Sequence, residues 1–323
     1  GRNTDAEHEC HRVFVDQLRQ DALGFAGGPN VRTPHIDRLA AEGVHFLRLL
    51  HFPGPLVLRP NVDIDAIRFF PPEWYEASGP GGAIDPAEPH SVRRVFDANM
   101  QAYYAMIEVI DDNVGRRCHM LERNGIADST MVALLSDHGE RGGSHGKLGK
   151  AEPWEESVRV PLIVSCRAPG LVPGGCACGV PVHTEDLFCN LPGLVGGSEA
   201  PAPLRVDFAP YILGRAPEPD RDGVLLEFVT ETRTNRAYWD STWRGLRTRN
   251  HKHGAGGRTD ARPWQLFDLA ADPCEQANLV DDPASQALAA NMQRQLAAVL
   301  DQGGDDFALA PAFGLPARNA VAV

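Results

Sequence analysis

The chain has 323 residues, of which 43% are hydrophobic and 23% charged, a composition typical of a globular protein. Its formal net charge of −12 argues against a nucleic-acid partner, because binding to phosphate backbones requires a basic surface. A small anionic substrate is still compatible with this charge, since it needs only a locally positive pocket.

The sequence contains no apolar run of membrane-spanning length, and its first residues lack the apolar core of a signal peptide. The seven cysteines have no regular spacing, which does not suggest a disulfide framework. We therefore expect a cytoplasmic protein without a membrane partner. A periplasmic or secreted location and an oligomeric state stay open.

The N-terminal part of the chain alternates between strand and helix patterns, as α/β proteins do. Residues 11–16 predict a first short strand that ends at Asp16. Residues 33–43 predict a helix with Thr33 as its cap and Pro34 in its first turn.

A loop region and a long helix follow. Residues 47–90 are rich in proline, glycine and scattered aromatic residues, which predict irregular structure. Residues 94–124 predict the longest helix, because their apolar side chains recur at helical spacing on one stripe. The stripe, which we interpret as core, consists of Tyr103, Ile107, Ile110, Val114, Cys118 and Leu121.

Residues 131–150 concentrate the polar chemistry of the chain. A short apolar run predicts a buried parallel strand that ends at Asp137 and His138 and leads into a glycine-rich loop with His145 and Lys150. Ligands of open α/β sheets bind beyond the carboxyl ends of the strands, and a carboxylate beside an imidazole can hold a divalent metal. The alternative interpretation is a polar loop with a hydrogen-bonded histidine.

The character of the sequence changes near residue 200. Before it, residues 160–165 predict another buried strand and residues 183–194 a helix. We therefore divide the chain into an α/β domain, residues 1–200, and a C-terminal subdomain, residues 201–323. The subdomain is predicted to contain three antiparallel strands and a terminal helix, at residues 223–229, 243–248, 265–269 and 283–300.

Two acids stand at the ends of two predicted parallel strands, and each has a polar neighbour. Asp16 is followed by Gln17, and Asp137 by His138. Because parallel strands end at the same edge of a sheet, acids that are distant in sequence can meet at one metal ion.

Four segments of the chain resemble motifs of the sulfatase family, in the alkaline phosphatase superfamily. They are residues 14–24 (FVDQLRQDALG), 33–46 (TPHIDRLAAEGVHF), the SDHGE, SHG, LGK and ESVRVPLI stretches of 136–163, and residues 266–279. The style of the motifs is similar to that of phosphonate monoester hydrolases and choline-sulfatases. The resemblance implies a central, mostly parallel mixed sheet flanked by helices, with a small C-terminal antiparallel α+β subdomain. It also implies metal-dependent hydrolysis of sulfate, phosphate or phosphonate monoesters.

The resemblance further implies roles for six residues. It assigns metal-ligand positions to Asp16, Gln17, Asp137 and His138. It assigns His145 and Lys150 to positions that hold the charged oxygens of a small anionic ester or assist its leaving group. Calcium would suit an all-oxygen ligand set, whereas the imidazole of His138 opens the site to manganese or zinc.

The chain departs from the family pattern at the nucleophile. The family carries a cysteine or serine in the pattern C/S-x-P/A-x-R shortly after the equivalent of Phe46, but residues 46–53 read FLRLLHFP. The sequence looks as if a stretch between Leu50 and His51, with the nucleophile, its arginine and a substrate lysine, had been excised. A covalent mechanism then lacks its attacking group.

Three interpretations remain. The chain is an active sulfatase-family hydrolase, or a catalytically inactive relative that binds metal or anion, or its gap is an error of gene structure. Genomic sequence across Leu50 and His51 would decide the third. A phosphomutase or nucleotide phosphodiesterase of the same superfamily is a weaker alternative, because those enzymes use richer His/Asp metal sets.

Overall fold

The computed structural model describes residues 9–46, 58–64, 67, 88, 90–196, 205–228, 242–257 and 260–318. The junction of Leu50 and His51, most of the predicted loop region 47–90, and Val229 at the end of a predicted strand lie outside these residues. None of the helices in the described ranges has both the length and the apolar character that a bilayer span requires.

A mixed sheet of five strands forms the centre of the N-terminal part, in the order β1-β3-β4-β2-β5. The strands are β1 Glu9–Val15, β2 Gly43–Phe46, β3 Thr130–Ser136, β4 Leu162–Cys166 and β5 Cys176–Cys178. β1 pairs with β3 in parallel and β2 with β5 in parallel, whereas β4 is antiparallel to both β3 and β2. Within the described residues only β4 is reversed, which confirms the predicted mixed, mostly parallel sheet.

Helices cover both faces of this sheet, because each face presents apolar side chains. The α-helices of the described residues are α1 Pro34–Glu42, α2 Ser91–Arg123, α3 Glu155–Val158, α4 Leu187–Leu194, α5 Ala209–Ile212 and α6 Gln286–Gly303, of which α6 belongs to the C-terminal part. The predicted stripe of α2 packs with α1 against one face, where Ile107, Val114 and Leu121 are buried. α4 and α5 contribute Leu194 and Ile212 to the core on the other face.

The start of α1 differs from the sequence prediction. Thr33 occupies the N-cap position, but its side chain makes no capping hydrogen bond and donates instead to Asp37. The cap is supplied by Asp111 of α2, whose carboxylate accepts from the backbone N–H groups of His35 at 3.2 Å and Ile36 at 2.7 Å. A carboxylate suits this place because the first N–H groups of a helix lack intrahelical acceptors.

The C-terminal part forms a four-stranded antiparallel sheet in sequential order. Its strands are β6 Gly223–Phe228, β7 Trp243–Thr248, β8 His251–Gly256 and β9 Arg262–Asp268. β8, with the sequence HKHGAG, was not predicted, because it lacks the alternation of apolar residues that marks a strand. Helix α6 packs Met292, Leu296 and Leu300 against this sheet. The division of the chain at residue 200 stays a prediction.

One edge of the five-stranded sheet collects several chain segments. β1 and β3 end side by side there, with Val15 and Ser136 as register partners. Because β4 is reversed, its first residue, Leu162, pairs with Leu135 near the end of β3. This edge therefore gathers the residues that follow β1 and β3 and those that precede β4.

Candidate metal centre

Asp16 and Asp137 lie next to each other at this edge, since each is the first residue after its strand. Together with His138 they form a cluster in which one ligand atom from each residue lies within 4.8 Å of the others. The Nε2 atom of His138 is 3.2 Å from Asp137 Oδ2 and 3.6 Å from Asp16 Oδ1. Asp16 is 82% exposed and His138 only 19%, so the cluster opens to solvent on the Asp16 side.

Backbone hydrogen bonds orient the carboxylate of Asp137. Its Oδ1 accepts from the N–H groups of Gln17, at 3.0 Å, and His138, at 2.8 Å. Although partial burial raises the pKa of Asp137, these hydrogen bonds outweigh it and lower the pKa below its usual value. The carboxylate is thus anionic at neutral pH, and its second oxygen, Oδ2, faces the imidazole.

The tautomer of His138 follows from its hydrogen bonds. Its Nδ1 lies 2.9 Å from the carbonyl oxygen of Gly139, so Nδ1 carries the proton and donates. The lone pair of Nε2 then faces two carboxylate oxygens. Three acceptors that converge in this way repel one another unless a proton or a cation stands between them.

This arrangement fits a bound divalent cation. Donor atoms separated by 3.2 and 3.6 Å can reach one ion with bonds of about 2.0–2.6 Å. A backbone carbonyl on the distal nitrogen is the usual support for a metal-binding histidine. Two carboxylates and one imidazole leave coordination positions for water or substrate, and the imidazole favours manganese or zinc over calcium.

Lys150 approaches the same cluster. Its Nζ contacts Nε2 of His138, and its side chain is exposed. An ammonium group at this place partly offsets the negative charge of the two carboxylates. It can also neutralise an anion that binds beside the metal position.

The backbone of Gln17 has a left-handed conformation, with a φ of 60°. Three contacts hold it there: its N–H donates to Asp137, its carbonyl accepts from the hydroxyl of Tyr103 at 3.0 Å, and its side-chain amide donates to Glu140. A left-handed glutamine is uncommon and persists where its surroundings fix it. The amide nitrogen of Gln17 is therefore engaged by Glu140, and the predicted role of Gln17 as a metal ligand stays a prediction.

A partly buried carboxylate and a buried guanidinium brace the glycine-rich loop that carries Lys150. Glu140 accepts from the N–H groups of Gly142 and Gly149 at 3.0 and 2.6 Å. Arg141, which is buried, donates to the carbonyl oxygens of Gly149 and Lys150 and pairs with Glu152 at 2.6 Å. The loop is thus fixed from inside, and the position of Lys150 follows from it.

His145 lies in a different cluster. Its ring stacks on Trp154 with centroids 3.6 Å apart, and its Nε2 is 3.0 Å from the amide nitrogen of Asn61. Burial and the nearby cations of Lys252 and Arg59 lower the pKa of His145, so the imidazole is neutral. A cavity of about 640 Å³ lies beside His138, and His145 is not among the described residues that line it. Its predicted role in substrate binding or proton transfer stays a prediction.

The cluster around His145 also contains Glu156 and Glu275, both buried, with ligand atoms within 4.8 Å of one another. Each carboxylate already has a cation as partner. Glu156 pairs with Arg59 at 3.2 Å, and Glu275 pairs with the buried Lys252. The charge of this cluster is thus compensated by the protein, which does not favour a metal.

A cavity of about 640 Å³ adjoins the metal cluster. Asp137, His138 and Lys150 line it, together with apolar side chains of the strands and loops around it, among them Val180, Val182, Leu226, Phe228 and Trp243. The size is in the range that binds small molecules. Sequence reasoning missed two cations in this lining, Arg159 and Arg247. The position of Arg159, which follows α3, depends on the reversal of β4.

Hydroxyl and thiol groups in this cavity do not have the features of a nucleophile. Ser136 accepts from the N–H of Leu18 and donates to the carbonyl of His138. Burial raises the pKa of Cys178 to about 12, so its thiol stays protonated. Ser157 is buried, and its hydroxyl has no hydrogen-bond partner among the described residues. Among the described residues no histidine is hydrogen-bonded to any of these three groups, although Ser136 Oγ lies 3.4 Å from Asp137 Oδ1 and the thiol of Cys178 contacts the carboxylate of Glu218.

Comparison with known proteins shows similarity to one family. The Sulfatase family model matches residues 66–168. An ulvan-active sulfatase of Formosa agariphila is 25% identical over 305 residues, which cover 93% of this chain and 52% of that protein. A choline-sulfatase of Rhizobium meliloti is 30% identical over 224 residues, covering 62% of this chain and 39% of that protein. The chain thus spans about half the length, or less, of these curated relatives.

Solved structures agree with this similarity at the level of the fold. The phosphonate monoester hydrolase of Agrobacterium radiobacter superposes with a TM-score of 0.57 at 24% identity, covering 69% of this chain and 45% of that one. A protein solved in complex with its substrate, D-glucosamine-2-N,6-O-disulfate, superposes with a TM-score of 0.60 at 22% identity and covers 68% of this chain and 44% of that chain. At these identities, the likeness concerns the arrangement of the sheet and its helices.

Proposed function

We propose that this chain, a member of the sulfatase family in the alkaline phosphatase superfamily, takes part in metal-dependent hydrolysis of a small sulfate, phosphate or phosphonate monoester. The observation that supports this most is the convergence of Asp16, Asp137 and His138 at one edge of the sheet. Relatives that the chain matches are named for sulfate esters, and a structural neighbour for phosphonate monoesters.

Each residue of the metal centre has a distinct role in this proposal. Asp16, Asp137 and Nε2 of His138 hold the cation, and the Nδ1–H of His138 keeps the imidazole in the tautomer that can bind it. A divalent ion bound there polarises the sulfuryl or phosphoryl group. Lys150 offsets the charge that develops on the departing oxygen. The loop contacts of Glu140 keep Lys150 in place.

Metal and turnover measurements test the proposal together. Purified protein should bind Mn²⁺ or Zn²⁺ with a stoichiometry near one, and it should hydrolyse p-nitrophenyl sulfate or a phenylphosphonate ester only when the metal is present. Asp137→Ala should abolish both. Turnover that persists after chelation and in Asp137→Ala would contradict the assignment of the site.

A second candidate function is binding of metal and anion without turnover. It is favoured by the sequence after Phe46, where the C/S-x-P/A-x-R pattern is missing, and by the state of Ser136 and Cys178 in the cavity. On this alternative, Mn²⁺ and sulfate bind with measurable affinity, but no ester is hydrolysed above background. Clean metal-dependent turnover would exclude it.

A further inference from the structure

Arg159 is the residue on which this inference rests. It follows α3 and precedes β4, so the reversal of β4 brings it to the sheet edge at which Asp137 and His138 lie. Arg159 and Lys150 line the same cavity of about 640 Å³. The arginine therefore belongs to the space that a ligand of the metal centre would enter.

The guanidinium of Arg159 is oriented but not neutralised. Its Nε donates to Oε1 of the buried Gln20 at 2.7 Å, which fixes the plane of the group. Within the described residues, no carboxylate lies within 4.0 Å of its nitrogens. Its two terminal nitrogens have no protein partner among those residues.

Three other arginines around this edge are paired with carboxylates. Arg19 binds Asp21 at 2.7 Å, Arg141 binds Glu152 at 2.6 Å, and Arg247 binds Glu155 at 3.0 Å. The acids nearest in sequence to Arg159 are thus already in use, since Glu155 also contacts the buried Lys252 at 3.5 Å. Arg159 differs from these arginines in lacking such a partner.

The surroundings leave this cation uncompensated. Burial and the neighbouring guanidinium groups of Arg247 and Arg59 lower the pKa of Arg159, and the charges of Glu155 and Asp21 offset this only in part. A guanidinium stays protonated in proteins even so. A half-buried charge without a partner is unfavourable, and an anion that enters the cavity would relieve it.

Lys150, rather than Arg159, makes the cation contact with the metal cluster. Lys150 contacts His138, and so it already faces the metal cluster, whereas Arg159 forms no ion pair with Asp137 or Asp16 within the described ranges. A cavity of this size also has room for much more than a sulfate ion. Its lining also includes the apolar side chains of Val224, Leu226 and Phe228 on β6.

We propose that Arg159 binds a second anionic group, a carboxylate or sulfate, carried by the alcohol part of the ester whose head is held at the metal centre. The substrate class is then a sulfate or phosphate monoester with a second negative charge. The two terminal nitrogens of the guanidinium form a planar fork that suits such an oxygen pair. Gln20 is a positioning residue that aims this fork. This inference depends on the proposed function in one respect, since it assumes that the sulfate or phosphate group of the ester binds at the metal centre.

Binding of two unreactive probes tests the assignment without requiring turnover. Benzenesulfonate has one anionic group and benzene-1,3-disulfonate has two. Titration calorimetry of the Mn²⁺-loaded protein should give an affinity at least about tenfold higher for the disulfonate, because charge-assisted bidentate pairs are strong. In Arg159→Gln this advantage should vanish while the benzenesulfonate Kd stays within about twofold.

Two further variants control the test. Arg159→Lys keeps the charge but not the fork and should retain only part of the advantage, which gives a readout even where Arg159→Gln folds poorly. Arg93→Gln removes an exposed arginine on α2, whose side chain is 53% exposed, and should change neither affinity. Equal affinity of wild type for both probes, or an equal loss for both probes in Arg159→Gln, would overturn the assignment.

A separate Mn²⁺ titration distinguishes this inference from the proposed function. If Mn²⁺ binds but neither probe does, the metal centre stands and the role of Arg159 is wrong. If Mn²⁺ does not bind, yet the disulfonate advantage persists and is lost in Arg159→Gln, the metal centre is wrong and the anion site stands.

Discussion

Three clusters of the described residues each bring one histidine and two carboxylates within 4.8 Å, and the two that lie near the end of β3 differ in what surrounds them. In the metal cluster of Asp16, Asp137 and His138, two carboxylates and an imidazole nitrogen converge beside a cavity, and the ammonium of Lys150 contacts the imidazole. In the second cluster, His145 stacks on Trp154, and the carboxylates of Glu156 and Glu275 are neutralised by protein cations. Proximity of metal-ligating groups therefore does not by itself distinguish a metal site, whereas the degree of charge compensation separates these two clusters, because among the described residues only Lys150 offsets the carboxylates of Asp16 and Asp137.

The largest expected effect is on the free energy of unfolding when the lysine at each cluster is replaced. Lys252 is buried between Glu275 and Glu155, so Lys252→Met should leave uncompensated buried charge and lower the free energy of unfolding by about 3–5 kcal/mol. Lys150→Met, at the exposed cluster, should lower it by less than about 1 kcal/mol. Urea unfolding curves measure both. Equal losses would show that the two clusters are not distinguished by burial of charge.

The second largest effect is on the affinity for Mn²⁺ when one carboxylate of each cluster is replaced. Asp137→Ala removes a predicted ligand and should weaken Mn²⁺ binding by about 100-fold or more, since even supporting residues contribute 10–100-fold. Glu275→Gln, in the cation-compensated cluster, should leave the affinity unchanged. Asp112→Ala provides a control, because this exposed acid belongs to a third group around the helix-capping Asp111. Loss of Mn²⁺ affinity in Glu275→Gln would indicate that the metal binds at the buried cluster of His145, Glu156 and Glu275.

The third effect concerns pH. Burial, which outweighs the charge of Lys252, raises the pKa of Glu275 to about 7, above the usual 4.5. The folded protein then binds more protons than the unfolded chain between these values. The contribution of Glu275 to stability is full below pH 4.5 and is lost as the pH rises through 7.

Unfolding measured at several pH values tests this sign. Relative to Glu275→Gln, wild type should lose up to about 1.4 kcal/mol per pH unit between pH 5 and 7. The lowered pKa values of Asp21 and Glu155 act in the opposite direction and at lower pH, so they do not obscure this window. Parallel curves for the two proteins would mean that Glu275 stays ionised.

The smallest effect concerns the support of the metal cluster. The hydroxyl of Tyr103 donates to the carbonyl of Gln17 and accepts from the N–H of Arg19 at 3.2 Å. Tyr103→Phe should lower the free energy of unfolding by about 1–2 kcal/mol and weaken Mn²⁺ binding severalfold, because Gln17 helps to orient Asp137. Tyr104→Phe, one residue further on α2, is the matched control. An unchanged Mn²⁺ affinity in Tyr103→Phe would remove Tyr103 from the support of the site.

Local pattern was sufficient to predict much of this fold from the sequence. The stripe of α2, the strands β1 and β3 and the terminal helix follow from the period of apolar residues, and the adjacency of Asp16 and Asp137 follows from parallel strands. β8 was not predicted, because it has glycines and buried polar residues where apolar alternation is expected. The capping of α1 by Asp111 was not predicted for another reason. Asp111 is distant in sequence, and only tertiary packing brings it to His35.

The site was predictable in part for the same physical reasons. Residues that directly follow strands, such as Asp137, have positions that the sheet dictates. His145 and Arg159 follow loops or a single helical turn, so their positions depend on packing and on the direction of the next strand. Sequence motifs group His145 with Lys150, whereas the structure puts them in separate surroundings.

The reversed direction of β4 has a consequence for how such a protein can diversify. The segments that carry the cation ligands leave the sheet, whereas the segment that carries Arg159 enters it, so the two sets belong to chain stretches that can mutate independently. A substitution before β4 can therefore change the contacts of the alcohol part of the ester without changing Asp16, Asp137 or His138. The part of the site that holds the ion stays constant while this happens.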